Sequence, residues 1–443
     1  MKPILPCTLL CTTLIAACGG GSSQSGPVDC MLVNQNAYVY DQLRDSYLWA
    51  ESVSDSANPA DYASPSALLQ DLRDPRDETR FGNSYSYVAD QAAFTSLLNE
   101  GQFTGLGVRL GFTDADELTA LLVYSDSPAA NAGLQRGTRI LRIGGQVPSS
   151  DPSQPNYFDT LLGADEAGVT VRMEIQDPGD SSSREVSVTK AVVTIDSVQA
   201  AQVFETVGGT RVGYLLFTNF FTDPSRTALR QAFASFREQG ATELILDLRY
   251  NGGGSVRTST VLASLIGGNR VYAGNRGEVF TRAVANADHP ELGFVEQFFN
   301  EAEALDLARV AVISTASTAS ASELVINGLE PFVDVVVIGD TSFGKPVGQH
   351  PMNFCDKTLV AVTFQTLNAD GQGDYFQGIA ADCAADDDWD EPLSIQGQAG
   401  NEASIQVAMD YLTTGQCPAA AKRHTGPPST AYAHGLRSLI AAH

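Results

Sequence analysis

Three short runs of mostly branched aliphatic residues constrain this chain more than any other feature: Glu243-Leu-Ile-Leu-Asp247, Val310-Ala-Val-Ile313 and Asp334-Val-Val-Val-Ile338. Runs that are apolar on both sides suit strands buried on both faces, as in a parallel sheet covered by helices. Each run leads directly into a loop, and such sheets collect their sites beyond the carboxyl ends of the strands. The chemistry of this chain is therefore expected in those loops.

The loops hold Ser317-Thr-Ala-Ser-Ala-Ser-Glu323 and Thr341-Ser-Phe-Gly-Lys-Pro-Val-Gly-Gln349. Together they place a candidate nucleophile, Ser320, at the start of a helix and a candidate base, Lys345, on the next loop. A serine needs a base within hydrogen-bond reach, usually His and sometimes Lys. There are five histidines, and only His350 lies near this stretch, the others being His289, His424, His434 and His443. Lysine can serve if it is neutral, which requires its pKa to fall from about 10.4 toward roughly 7–8 by burial. Lys345 sits among Phe343, Pro346 and Val347, a setting that allows burial. The amide of Ala321, at a helix N-terminus, is a candidate oxyanion donor, because amides there are unpaired and the helix dipole favours an anion. The reading from these residues is a Ser/Lys hydrolase.

Upstream the pattern is different. Residues 30–101 look helical: Tyr40, Leu43 and Tyr47 recur at helical spacing, Ser64-Pro65 opens one helix, and Asp90 caps another that ends at Gly101. From 102 to 195 the chain reads as short strands and turns. There the Gly105-Leu106-Gly107 turn resembles a PDZ domain, together with Ser127-Pro-Ala-Ala-Asn-Ala-Gly-Leu134 and Arg139-Ile-Leu-Arg-Ile-Gly-Gly145. The resemblance implies peptide binding by addition to a sheet edge, with the amides of Gly105, Leu106 and Gly107 holding a terminal carboxylate.

The central stretch resembles the carboxyl-terminal-processing, or tail-specific, serine peptidases. The residues that carry the likeness are Thr318-Ala-Ser-Ala-Ser-Glu323, Gly339-Asp-Thr-Ser-Phe-Gly-Lys345 with Gln349, and Asp247-Leu-Arg-Tyr-Asn-Gly-Gly-Gly254. The resemblance implies Ser320 as nucleophile, Lys345 as base 25 residues on, and Gln349 four further on orienting the lysine. It implies a second oxyanion donor at Gly253 as first choice or Gly254 as second, and leaves Glu323 and Ser342 as supporting groups. Thr318 and Ser342 each replace one hydroxyl residue of the family pattern by another. Pro346 stands where the family often has Gly, and Ala381 replaces Pro in Gly378-Ile-Ala-Ala-Asp382. The implied fold class is α+β and multidomain. It comprises a helical N-terminal domain (30–101), an inserted PDZ β domain (102–195), a crotonase-like ββα-repeat core (196–416) and a loose tail (417–443). No cofactor and no metal are implied, and Asp386-Asp-Asp-Trp-Asp-Glu391 reads as a solvated acidic loop.

The first 17 residues, with Lys2 before an uncharged apolar run, read as a signal peptide. Ile15-Ala-Ala-Cys18 followed by Gly-Gly-Gly-Ser-Ser resembles a lipoprotein signal that leaves Cys18 lipidated, with 18–29 as a flexible linker. Export to the bacterial cell envelope, anchored and facing the periplasm or exterior, is the expectation. It makes disulfides the favoured state of Cys30, Cys355, Cys383 and Cys417, for which three pairings are possible. A formal charge of −25 offers no broad basic surface, so nucleic acid is excluded as a partner class. The expected partners are polypeptides with exposed C-termini, recognised through the PDZ segment and cut by the Ser/Lys pair. The alternatives are a catalytically silent PDZ-containing surface protein and an acyl hydrolase that is not a peptidase.

Overall fold

The computed structural model describes residues 30–418, apart from 114, 152, 155, 207, 274, 275, 388 and 390–401. The signal peptide, Cys18, the linker to residue 29 and the tail beyond 418 lie outside the described residues.

The three aliphatic runs lie side by side. A six-stranded sheet runs Cys383–Ala384, Asp334–Gly339, Arg309–Ser314, Glu243–Asp247, Arg211–Phe217 and Val198–Glu205. Its pairs are parallel except the last, which is antiparallel. The register sets Asp247 beside Ile313 and Ser314 beside Gly339, so three adjacent strands end at one level and deliver their loops to one place. The helices Asp223–Glu238, Val256–Gly267 and Ala321–Leu329 share one apolar cluster with this sheet. Ala321–Leu329 is buried on every side, its polar residues Ser322, Glu323 and Asn327 included. The helices Gln91–Glu100 and Ala403–Thr414 pack into the other cluster through Phe94, Leu97, Ile405 and Ala408.

Between 102 and 195 the chain leaves and re-enters the core through paired strands, Gln102–Gly105 against Ala191–Thr194. The loop so closed contains an antiparallel sheet in the order Val108–Phe112, Leu118–Val123, Arg139–Ile143, Thr170–Gln176 and Arg184–Thr189. This sheet has its own apolar core around Leu110, Ile140, Phe158 and Met173. The N-terminal helices Leu32–Asp45 and Pro65–Leu72 have no such independence. Val39, Leu43, Tyr47 and Tyr85 share a cluster with Phe343, Val347, Leu359 and Val362, some 300 residues further along the chain. Strand Tyr87–Asp90, within the stretch read as helical, pairs with Lys357–Val360.

Of the three possible cysteine pairings, the structure holds Cys30–Cys355 and Cys383–Cys417. Asp387 departs from the expectation of a solvated acidic loop, because it is drawn into a buried ionic cluster. Arg249, fully buried, donates to Asp247, to Glu402 at 2.6 and 3.0 Å and to Asp387 at 2.9 Å. Arg136 of the β domain adds a second cation on Asp387 at 2.7 Å. Burial alone would raise the Asp387 pKa, but the two guanidiniums hold it well below the usual carboxylate range.

Breaking a buried ion pair from one side leaves uncompensated charge and costs about 3–5 kcal/mol. Arg249→Ala is expected to lower the unfolding free energy by that order in a urea titration. A change below about 1 kcal/mol would mean that the cluster is not a stabilising contact.

Candidate active site

Ser320 occupies the junction between strand Arg309–Ser314 and helix Ala321–Leu329, with φ 56° and ψ −115°. A non-glycine residue with positive φ carries about 1–3 kcal/mol of strain, which the surroundings must hold. They do so through backbone contacts on both sides: the Ala319 amide donates to the Asn251 carbonyl at 3.0 Å, and the Phe343 amide to the Thr318 carbonyl at 2.8 Å. Of the three serines in the stretch, Ser320 alone lines the cavity of ≈ 290 Å³ at the strand ends. Ser322 gives its hydroxyl to the Asn251 carbonyl at 2.9 Å, and Ser317 is buried.

Lys345 lines the same cavity and is 1 % exposed. Its Nζ donates to Gln349 Oε1 at 3.2 Å, and Gln349 Nε2 in turn donates to the Tyr85 carbonyl at 3.0 Å. The amide of Gln349 is thereby held at both ends. Burial pushes the Lys345 ammonium down to about 7, against the pull of the Asp77 and Glu323 carboxylates.

Glu323 ties the two loops together. Its buried carboxylate accepts the Ser320 amide at 2.8 Å, the Lys345 amide at 2.8 Å, the Gly344 amide at 2.6 Å and the Ser342 hydroxyl at 2.5 Å. Burial raises its pKa, and these donors oppose the rise. The two residues that sequence left without a role are thus the clasp between the loop of Ser320 and the loop of Lys345.

Gly253 and Gly254 both have positive φ, 106° and 137°. A Cβ on Gly253 would stand 2.8 Å from Ser320 Cβ, and one on Gly254 would stand 2.4 Å from the Phe220 carbonyl oxygen, so neither position admits a side chain. Their amides face different surroundings. The Gly253 amide is committed to Asn251 Oδ1 at 2.9 Å, whereas Gly254 lines the cavity with Ala321. Among the described residues the amides of Gly254 and Ala321 have no protein acceptor.

His350 is brought elsewhere. Its Nδ1 lies 2.8 Å from Thr363 Oγ1 and its ring packs against Phe294 and Phe364, outside the cavity lining. Gly105, Leu106 and Gly107 also stand apart from Ser320. They lead into Val108–Phe112, a strand with a single partner in its sheet. Gly107, with φ +77°, lies so close to Ser127 that a Cβ there would meet it at 2.2 Å. Among the described residues no group of three or more His, Cys, Asp or Glu could hold a metal ion.

Three residues at the site escaped the sequence reading. Asn251 clamps both the glycine run and the Ser320 loop. Arg80 and Tyr85, from the N-terminal segment, hold the carbonyls of the Lys345 loop. Asn251 could have been suspected from its place beside the glycines. The other two left no signal, because their partners are backbone atoms some 260 positions away.

Comparison with known proteins matches residues 211–385 to peptidase family S41 and residues 34–87 to the peptidase S41 N-terminal domain. A carboxyl-terminal-processing protease of Synechocystis sp. is 28% identical over 351 residues, 78% of this chain and 76% of that one. The chloroplastic C-terminal processing peptidase of Tetradesmus obliquus is 27% identical over 74% of this chain and 68% of its own. Two solved structures share the fold. One, from Bacteroides fragilis and assigned to the S41 proteases, has a TM-score of 0.65 at 23% identity and covers 86% of this chain and 97% of its own. The other, the photosystem II D1 C-terminal processing protease, has 0.52 at 18%, covering 80% and 93%.

With Lys345 titrating near 7, the unprotonated amine is present above that pH and lost below it. Labelling of Ser320 by a serine-directed fluorophosphonate is expected to fall tenfold per pH unit below about 7, and Lys345→Ala to slow it by about 10²–10⁴-fold. Fast labelling of that variant would identify a different base.

Proposed function

Because the chain belongs to peptidase family S41 and is a serine-type peptidase, we propose that it is an endopeptidase that cuts exported polypeptides with Ser320 as nucleophile and Lys345 as base. One observation carries this reading: Ser320 and a buried Lys345 line the same cavity, while Gln349 and Glu323 hold the lysine in place. In the reaction, Ser320 Oγ attacks the scissile carbonyl and passes its proton to the neutral Nζ of Lys345. The amides of Ala321 and Gly254 stabilise the oxyanion of the tetrahedral intermediate. Collapse expels the amine product, which takes the proton from Lys345. The acyl-serine is then hydrolysed by a water that Lys345 deprotonates, and the proton returns to Ser320.

The rest of the cavity suggests what sits beside the scissile bond. Phe94, Leu98, Val256, Leu324, Val360 and Phe364 make its walls apolar, and Lys345 is the one titratable residue among the lining residues. An uncharged apolar side chain fits there, and a charged one would lose its hydration without a partner.

We read residues 102–195 as a PDZ-like module and the remaining core as crotonase-like. Val108–Phe112 is an edge strand of its sheet, beside the Gly105 to Gly107 turn, and this position supports capture of a substrate C-terminus by strand addition once the edge, whose residues 108–111 are buried, is uncovered. Two disulfides fit an oxidising compartment, and lipidation at Cys18 would keep the enzyme at the cell envelope.

The test is cleavage of reduced, carboxymethylated casein and of peptides that differ only in their last three residues. Ser320→Ala is expected to abolish cleavage, and equal cleavage by wild type and variant would remove Ser320 from the reaction. Wild-type rates are expected to depend on the terminal residues, and indifference to them would sink the recognition of C-termini.

A further inference from the structure

The N-terminal segment, expected from sequence to be a helical domain, reaches the loop that carries Lys345. Asp77 is 0 % exposed, and its carboxylate accepts the Ser86 amide at 3.0 Å, the Ser84 hydroxyl at 3.4 Å and the Tyr47 hydroxyl at 2.7 Å. It closes the base of a tight excursion, residues 78–85, whose Glu78 and Ser84 form a bridge. From this excursion the Arg80 guanidinium donates to three successive carbonyls: Thr341 at 3.2 Å, Ser342 at 2.8 Å and Phe343 at 3.1 Å. The Tyr85 hydroxyl donates to the fourth, Gly344, at 2.5 Å. The Tyr85 carbonyl also accepts Gln349 Nε2, the amide that holds Lys345 Nζ through its other end.

We propose that Asp77 to Ser86 form a clamp that fixes the position of Lys345, with Arg80 and Tyr85 as positioning residues for the reaction. The proposal rests on the Ser320/Lys345 reading. The geometry divides the work. Glu323 holds the amides of Gly344 and Lys345, while the clamp holds the carbonyls of the four residues before the lysine. A peptide segment held along one edge can still pivot about it, and holding both edges removes that freedom. Arg80 suits the task because its planar fork carries five donors and meets adjacent carbonyls at once, which a lysine ammonium on a flexible stem does not do. None of these contacts reaches substrate. Their effect passes through the place and the environment of Lys345 Nζ, and misplacement by about 1 Å can cost about 10²-fold in rate.

The charged groups acting on Lys345 are Asp77 from the clamp and Glu323 from the helix Ala321–Leu329. Tyr85 is uncharged, its phenol raised by burial. A loosened loop admits water to the ammonium, favours the protonated form and moves the acidic limb of the rate upward from about 7.

The experiment uses the full chain, a quenched-fluorescent peptide ending in an apolar residue, and the variants Arg80→Ala, Tyr85→Phe, Ser320→Ala and Arg76→Ala. Tyr85→Phe keeps the ring in its packed position and removes only the hydroxyl. Arg76, whose partners are Asp74 and Glu51, is the control for loss of an N-terminal arginine. The expected result is a fall in kcat of about 10–100-fold for Arg80→Ala and Tyr85→Phe. KM should stay within about twofold and the acidic limb should move upward, with Arg76→Ala unchanged in both readouts. If both clamp variants keep wild-type kcat and limb while Ser320→Ala is inactive, the clamp is overturned and the dyad stands. A loss of kcat that follows the unfolded fraction, with the limb unmoved, also overturns the clamp. Activity in Ser320→Ala would overturn the dyad and with it the clamp.

Discussion

The site depends on one buried carboxylate. Glu323 comes from the first turn of a wholly buried helix, and its two oxygens accept donors from both sides of the cavity: the Ser320 amide, and the Ser342, Gly344 and Lys345 groups. An unpaired carboxylate in such a place would be costly, and four donors make it tenable. The same four bonds set the distance between the two loops. A nucleophile on one loop and a base on another are thus referred to a common fixed point, and the strained backbone of Ser320 is held from that point as well.

The neighbouring loop is anchored by a second buried network of different character. Arg249 stands at the carboxyl end of Glu243–Asp247, just before the glycine run, and its guanidinium is satisfied by Asp247, Glu402 and Asp387. Tyr250, next in the chain, donates to Asp387 at 2.6 Å, and its carbonyl and hydroxyl receive Arg109 and Arg136 from the β domain. The glycine run that supplies a candidate oxyanion donor therefore begins at residues shared by the core sheet, the helix Ala403–Thr414 and the β domain. Gly253 and Gly254 take their positive φ values at no steric cost because they carry no Cβ.

Much of this arrangement was legible in the sequence, for reasons that differ by element. The aliphatic runs announced a parallel sheet because burial on both faces leaves a local, contiguous mark. That Ser320, Lys345 and Gln349 share a cavity was legible because they lie on two short stretches at fixed offsets. Gly253 ranks above Gly254 on resemblance alone, since the two are the same residue type and differ only in where the amide points. The burial of Asp387 was hidden because its partners Arg136 and Arg249 lie 251 and 138 positions away. Arg80 and Tyr85 were hidden more deeply, because their partners are carbonyl oxygens, which any residue supplies. The disulfide pairing was open because four cysteines carry no record of which backbones approach.

The shared core of the N-terminal helices has a consequence for the life of the chain before it is folded. Val39, Leu43 and Tyr85 find their partners in residues 343–362, and Cys30 bonds to Cys355 across a separation of 325 residues. Ser320 lies beyond the ends of strands that close at 247, 314 and 339 and stand in register. The geometry of the Ser320 and Lys345 cavity is thus a property of the folded chain, held by segments far apart in sequence, and not of any local stretch. Until residues 80–85 meet residues 341–344, the loop of Lys345 lacks the partners that hold its carbonyls.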